Sequence, residues 1–125
     1  MAKPELEFFD PNTSPLTPWR PVEGDKFGIM EKILSVDPSD GSYTRLLKFP
    51  PIENTEQTLW HEFWEEVYLV SGTLHDIAKN ETYLPGYYAC RVPGMIHGPY
   101  SIPYGAVTFE IRYYKSAPAQ VRTYP

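Results

Sequence analysis

"LWHEFWEEVYLVSG", residues 59–72, decides how this chain folds. It sets His61 and three carboxylates, Glu62, Glu65 and Glu66, among Trp60, Phe63, Trp64 and a β-branched run. Leu59, Trp60, Phe63, Trp64 and Val67 recur at helical spacing. Residues 67–70, "VYLV", are strand formers instead, and Gly72 closes them. A period of two puts His61, Phe63, Glu65, Val67 and Leu69 on one face. The rest of the chain favours the strand. Fourteen prolines and eight glycines interrupt any long helix, and ten tyrosines with six phenylalanines suit many short strands. The expectation is an all-β sandwich or barrel.

Working outward, residues 1–21 read as an extended arm. Pro4, Pro11, Pro15, Pro18 and Pro21 fragment it, while Leu6, Phe8, Phe9 and Trp19 are too apolar to leave free, so it should pack on the barrel or on a partner subunit. "KFGIMEKILSV" (26–36) reads as a strand, ended by the turn signal "DPSDG" (37–41). In "SYTRLLKF" (42–49), Tyr43, Arg45, Leu47 and Phe49 share one side and Thr44, Leu46 and Lys48 the other. Both sides hold apolar residues, which leaves the core-facing side open. Beyond Gly72 come "TLHDI", a turn at "AKNE", a short strand between Gly86 and Pro93, and a tight turn at Pro93-Gly94. His97 then opens the next element. Residues 106–114 alternate, with Val107, Phe109, Ile111 and Tyr113 on one side and Thr108, Glu110, Arg112 and Tyr114 on the other. The tail, 117–125, is polar and bounded by prolines.

The chain has 125 residues, the size of one domain. Eleven basic against sixteen acidic residues give a net charge of -5 without a basic cluster, which argues against nucleic acid as partner. No apolar run approaches the roughly 20 residues that span a bilayer, and "MAKPELEFFDPNTSP" lacks an apolar signal core. The expected location is cytoplasmic. The single cysteine, Cys90, excludes an intrachain disulfide and reads as a small buried hydrophobe.

A first-row metal takes imidazole and carboxylate ligands that converge in space. His61 and Glu65 lie four apart, a spacing that shares a face in a strand or a helix, and His97 offers a second imidazole from a neighbouring element. "HEFWE" is similar to the opening of a zincin helix, but Glu65 stands where the second histidine belongs. Glu62 reads as solvent-facing; so does Glu66, although its neighbour Glu65 makes it an alternate ligand. His75 reads as exposed or hydrogen-bonded to Asp76. Arg45 is a candidate for orienting an anionic or carbonyl substrate, with Tyr43 on the same side. Tyr100 and Tyr104 flank the bend after His97 and are candidates for an entrance.

"HEFWEEVYLVSG" followed by "PGYYACRVPGMIHGPY" resembles the two signature stretches of the cupin superfamily. The first normally carries two histidines, a glutamate and a glycine; His61, Glu65 and Gly72 match the last three, and Leu59 replaces the first histidine. In the second, Gly94 and His97 match, the proline is displaced to Pro93, and Ser101 replaces an asparagine. Ile52 stands where the opening glycine of the first stretch belongs. Residues 26–51 resemble the preceding strands of small cupins related to the ChrR anti-sigma and acetylacetone-dioxygenase groups. The resemblance implies strands throughout and a small cupin β-barrel (a double-stranded β-helix of jelly-roll type) over residues 22–116. It also implies one divalent metal on His61, Glu65 and His97, with Fe(II) favoured over Mn, Ni or Zn.

From these relatives follows the leading expectation, an iron-dependent oxygenase acting on a small dicarbonyl, enol or phenolic compound of limited charge. Glu65 is the catalytic candidate where it orients a water or accepts a proton. The alternatives are a metal-dependent hydrolase, lyase or cyclase, or a non-catalytic cupin that senses a small ligand or metal. A homodimer is expected, with the arm as an exchanged element.

Overall fold

Turn residues and strand formers partition the described residues into nine strands, with no helix among them. The computed structural model describes residues 3–114, so the start of the arm, residues 115–116 and the tail 117–125 lie outside it. The strands are β1 (Arg20–Pro21), β2 (Met30–Val36), β3 (Tyr43–Phe49), β4 (Trp64–Gly72), β5 (Leu74–Asp76), β6 (Glu81–Tyr83), β7 (Tyr88–Arg91), β8 (Tyr100–Ser101) and β9 (Ala106–Tyr113). They form an antiparallel six-stranded sheet, β1-β2-β3-β9-β4-β7, and a three-stranded sheet, β6-β5-β8. Residues 52–59 run beside 97–102, joined by the bridges Ile52↔Ile102 and Leu59↔His97 and by the Thr55 N–H donating to the Tyr100 carbonyl. This extends the smaller layer.

Two expected strands start late. The first begins at Met30 rather than Lys26, because the Asp25 carboxylate accepts the N–H groups of Phe27 and Ile29 and holds a turn there. Strand β4 begins at Trp64, so the helix-or-strand question of residues 59–72 resolves to an irregular approach followed by a strand. Gly72 is required where β4 ends. Its φ is +77°, and a Cβ there would lie 2.1 Å from the Gly105 carbonyl oxygen.

The inward faces explain why the site lies where it does. Along β4, Glu65, Val67 and Leu69 are buried in turn; along β3, Arg45 and Leu47; along β9, Ala106, Thr108 and Glu110. Strand β9 therefore turns its polar side inward and its apolar side, Val107, Phe109 and Ile111, outward. One end of the interior is apolar, built on Ile52, Leu69, Leu74, Ile102 and Ala106. The other end is charged, because the register sets Arg45 opposite Glu110 and Glu65 opposite both Arg112 and Arg91. Buried charges persist only when paired, and strand pairing supplies the partners.

The described part of the arm lies against its own sheet. The Lys32 ammonium donates to the carbonyls of Pro11 and Thr17 and sits over the Trp19 ring. Cys90, read as a buried hydrophobe, is exposed: it faces outward on β7, paired with Glu66 on β4.

Candidate metal centre

His61 precedes β4, and its carbonyl is fixed by the Gly94 N–H at 2.8 Å. Glu65 is the first buried residue of β4. His97 follows the Pro93-Gly94 turn and exchanges both backbone hydrogen bonds with Leu59. Together these elements bring the two Nε2 atoms to 3.1 Å. A ligand atom from each of His61, Glu65 and His97 lies within 4.8 Å of the others. Two nitrogens held about 2.0–2.1 Å from one ion at tetrahedral or octahedral angles are themselves about 2.9–3.4 Å apart. The observed spacing fits such an ion, and it equally allows one imidazole to donate to the other when no ion is bound.

Electrostatics keep these donors in the forms a cation needs. Burial, with the positive charge of Arg91, pushes the His97 pKa down to about 4. Burial also lowers that of His61. For Glu65 burial acts upward, but the charge and hydrogen bond of Arg91, helped by Arg112, outweigh it and hold the carboxyl below its usual range. Arg91 donates to Glu65 Oε1 at 2.8 Å and to the Tyr100 hydroxyl at 3.0 Å, and that hydroxyl lies 3.5 Å from His97 Nδ1. Such outer partners orient a ligating imidazole.

These groups line a cavity of about 220 Å³ that also touches Leu59 and Glu110. A second cavity of about 290 Å³, rich in tyrosine (Tyr83, Tyr87, Tyr88), shares Val67, Leu74, Arg91, His97 and Tyr100 with the first. Those five residues form the wall between two chambers.

The remaining sequence candidates divide. Tyr100 lines both chambers. Arg45 is closed off by two carboxylates, donating to Glu31 at 2.8 Å and to Glu110 through both Nε and Nη2 at 3.0 and 2.9 Å. Tyr43 faces a larger groove beneath the arm, with Arg45 and Arg112 against its ring. Tyr104 is 86% exposed and lines neither chamber. Glu66 points outward and accepts from the Tyr88 hydroxyl, and the partner of His75 is Thr82, not Asp76. Sequence reasoning missed Arg91, Arg112 and Glu110 as parts of the site. The one signal available for the last two was their shared parity on the polar side of β9.

An all-β double layer with two histidines and a glutamate turned inward at its polar end is a cupin. The chain belongs to the ChrR Cupin-like domain family, whose model matches residues 13–114. No curated protein matches it. Its fold is similar to that of an RmlC-like cupin from Ralstonia eutropha, with TM-score 0.69 and 23% identity over 86% of this chain and 68% of that one. It is also similar to an acetylacetone dioxygenase from Acinetobacter johnsonii, with TM-score 0.65 and 18% identity over 89% and 74%. A third is the polyketide cyclase RemF from Streptomyces resistomycificus, with TM-score 0.65 and 17% identity over 86% and 79%.

Proposed function

We propose that this cupin is a metal-dependent enzyme in which His61, Glu65 and His97 hold one divalent ion, with Fe(II) the favoured metal, and that it oxidises a small dicarbonyl, enol or phenolic compound. The observation that carries this reading is the 3.1 Å approach of the Nε2 atoms of the half-buried His61 and the buried His97 beside a buried carboxylate. A bound ion would act as a Lewis acid on the paired oxygens of an enolisable ligand. Around it, Arg91 holds Glu65 ionised, Tyr100 orients His97, and the apolar end of the interior limits access of water. The fold shared with an acetylacetone dioxygenase supports oxidation as the reaction.

Elemental analysis should find about one equivalent of metal per chain, and the iron-loaded protein should consume oxygen in step with product. Turnover undiminished without oxygen would reject oxidation in favour of a hydrolase, lyase or cyclase. That second reading is supported by the fold shared with a polyketide cyclase and by Glu65, which stays ionised and able to accept a proton.

The same proposal includes a homodimer in the cytoplasm. The outer face of the large sheet supports the dimer, since Tyr68, Val70 and Tyr88 are exposed there beside Phe109 and Ile111. Val70→Glu should convert a dimer to a monomer in light scattering; a wild-type chain monomeric at micromolar concentration rejects the assembly.

A further inference from the structure

Four carboxylates are buried among the described residues: Glu31, Glu65, Asp76 and Glu110. Three of them meet arginine. Glu31 is paired with Arg20 and Arg45, Glu65 with Arg91 and Arg112, and Glu110 with Arg45. Asp76, at 4% exposure, forms no ion pair among the described residues. Its Oδ1 accepts the Lys79 N–H at 3.0 Å, and its Oδ2 has no hydrogen bond among them. A carboxylate taken out of water without a partner is costly, and native interiors rarely tolerate one without a cause.

The free oxygen is not sealed in protein, since Arg112 Nε is the one wholly buried side-chain atom without a partner among the described residues. Asp76 lines the second, tyrosine-rich chamber and not the first. Asp76, Leu69 and Leu74 form buried parts of its wall, while the exposed Tyr87, Tyr88 and Met95 open it to solvent. The other charged groups of the chamber leave Asp76 unneutralised. Arg91 is committed to Glu65 and the Tyr100 hydroxyl, and the exposed Lys79 makes no ion pair with Asp76. His97 is kept neutral, chiefly by burial, at a pKa of about 4. After burial, the Asp76 charge helps to push up the hydroxyls of Tyr83, to about 12, and of Tyr100.

The rings of Tyr83 and Tyr87 lie 6.1 Å apart and tilted by 39°. Arg91 sits over the Tyr100 ring at 5.9 Å, but no cation of the described residues sits over Tyr83 or Tyr87. A free carboxylate oxygen beside open tyrosine faces is an environment for an ammonium group. Its N–H donates to the carboxylate, and its charge is attracted to the ring faces. A neutral donor would satisfy the oxygen and leave the buried charge without a counterion.

We infer that the second chamber is a binding site for a small organic ammonium ion, held by Asp76 and seated against the rings of Tyr83 and Tyr87. A cavity of about 290 Å³ suits a ligand the size of a one-ring amine. The shared wall, with His97 and Tyr100, puts this occupant next to the proposed metal centre. The inference goes beyond the metal proposal and does not depend on it.

Benzylamine, a cation at neutral pH, and benzyl alcohol, its neutral isostere, separate charge from shape. Calorimetric titration uses the full chain stripped by chelator, so that no metal can coordinate the amine. Benzylamine should bind the wild type at least tenfold more tightly than benzyl alcohol. Asp76→Asn keeps an acceptor for the Lys79 N–H, and should weaken benzylamine by about tenfold to a hundredfold with benzyl alcohol unchanged. Tyr87→Leu should weaken benzylamine by about two- to fivefold, the range of an exposed cation–π contact. Glu53→Gln, which removes an exposed charge outside the chamber, should change neither ligand. Equal binding of the two ligands, no binding of benzylamine, or a preference that survives in Asp76→Asn overturns the inference. So does an equal loss in Glu53→Gln, which would trace the preference to net charge, or an undiminished affinity in Tyr87→Leu. If Asp76→Asn does not fold, the wild-type comparison and Tyr87→Leu still decide. Absence of any bound metal in the untreated protein sinks the proposed function and leaves this site standing, and equal binding of amine and alcohol does the reverse.

Discussion

Arg45→Ala is expected to destabilise the fold by about 3–5 kcal/mol, the cost of removing one partner from a buried ion pair. Arg45 sits between Glu31 and Glu110, with side-chain exposures of 11%, 11% and 6% for the arginine and the two carboxylates. Glu31 has a second cation in Arg20, but that side chain is 60% exposed and contributes little. Among the described residues Glu110 has no second cation at hydrogen-bonding distance; its other oxygen accepts from the Thr108 hydroxyl at 2.9 Å. Burial already raises the Glu110 pKa against the pull of Arg45, so without the arginine this carboxyl must take up a proton or draw in water. Urea unfolding gives the test, as a shift in midpoint at constant slope. Arg20→Ala, on the exposed pair, should stay within about 1 kcal/mol. A loss below about 1 kcal/mol for Arg45→Ala would mean that the Glu31–Arg45–Glu110 chain is not the structural element described above. The triple replacement of Glu31, Arg45 and Glu110 by apolar residues of similar volume should recover most of the loss, because no charge is then left unpaired.

This network also shows how far the sequence could be read. Strand formers, prolines and glycines point to many short strands, and the signature residues His61, Glu65, Gly72, Gly94 and His97 to a cupin. Both conclusions use local patterns, which one chain carries in full. The inward face of β9 was not legible. Alternation separated Val107, Phe109 and Ile111 from Thr108, Glu110 and Arg112, but it does not say which set faces in. Hydrophobicity alone would choose the apolar set, whereas the structure buries the polar one. The reason is non-local: Glu110 is acceptable inside because register places Arg45 opposite it, and Arg112 because it meets Glu65 and two rings. Arg45 depends on non-local partners in the same way. The sequence makes it a candidate for orienting a substrate if its side lines the barrel; that side does face in, but two carboxylates from β2 and β9 engage all three of its guanidinium nitrogens. Arg112, on the neighbouring strand, meets one carboxylate, Glu65, and keeps a buried Nε without a partner. Cys90 and Tyr104 likewise took their outward positions from strand pairing and a bend that composition cannot specify.

His97→Ala should reduce metal retention by more than a hundredfold, beyond the 10- to 100-fold typical of losing an outer partner, while Leu59→His should act in the opposite direction. Position 59 is where the cupin signature places a histidine that this chain lacks. Leu59 and His97 exchange both backbone hydrogen bonds, at 2.8 and 2.9 Å, and residues opposed in that way project their side chains to the same face. Leu59 accordingly lines the same cavity as His61, Glu65 and His97. A histidine there adds a third imidazole without reshaping the backbone, and Leu59 is 41% exposed, so little packing is lost with it. Competition against a chelator of known affinity should show metal held at least tenfold more tightly by Leu59→His than by the wild type, and hardly at all by His97→Ala. Leu59→His in the His97→Ala background should restore part of the loss, since two imidazoles and Glu65 are again available. Unchanged affinity in both single variants would place any bound ion elsewhere. A gain in affinity accompanied by lower turnover would assign the leucine a function of its own: it keeps a coordination position open for the substrate, at the expense of tighter metal binding.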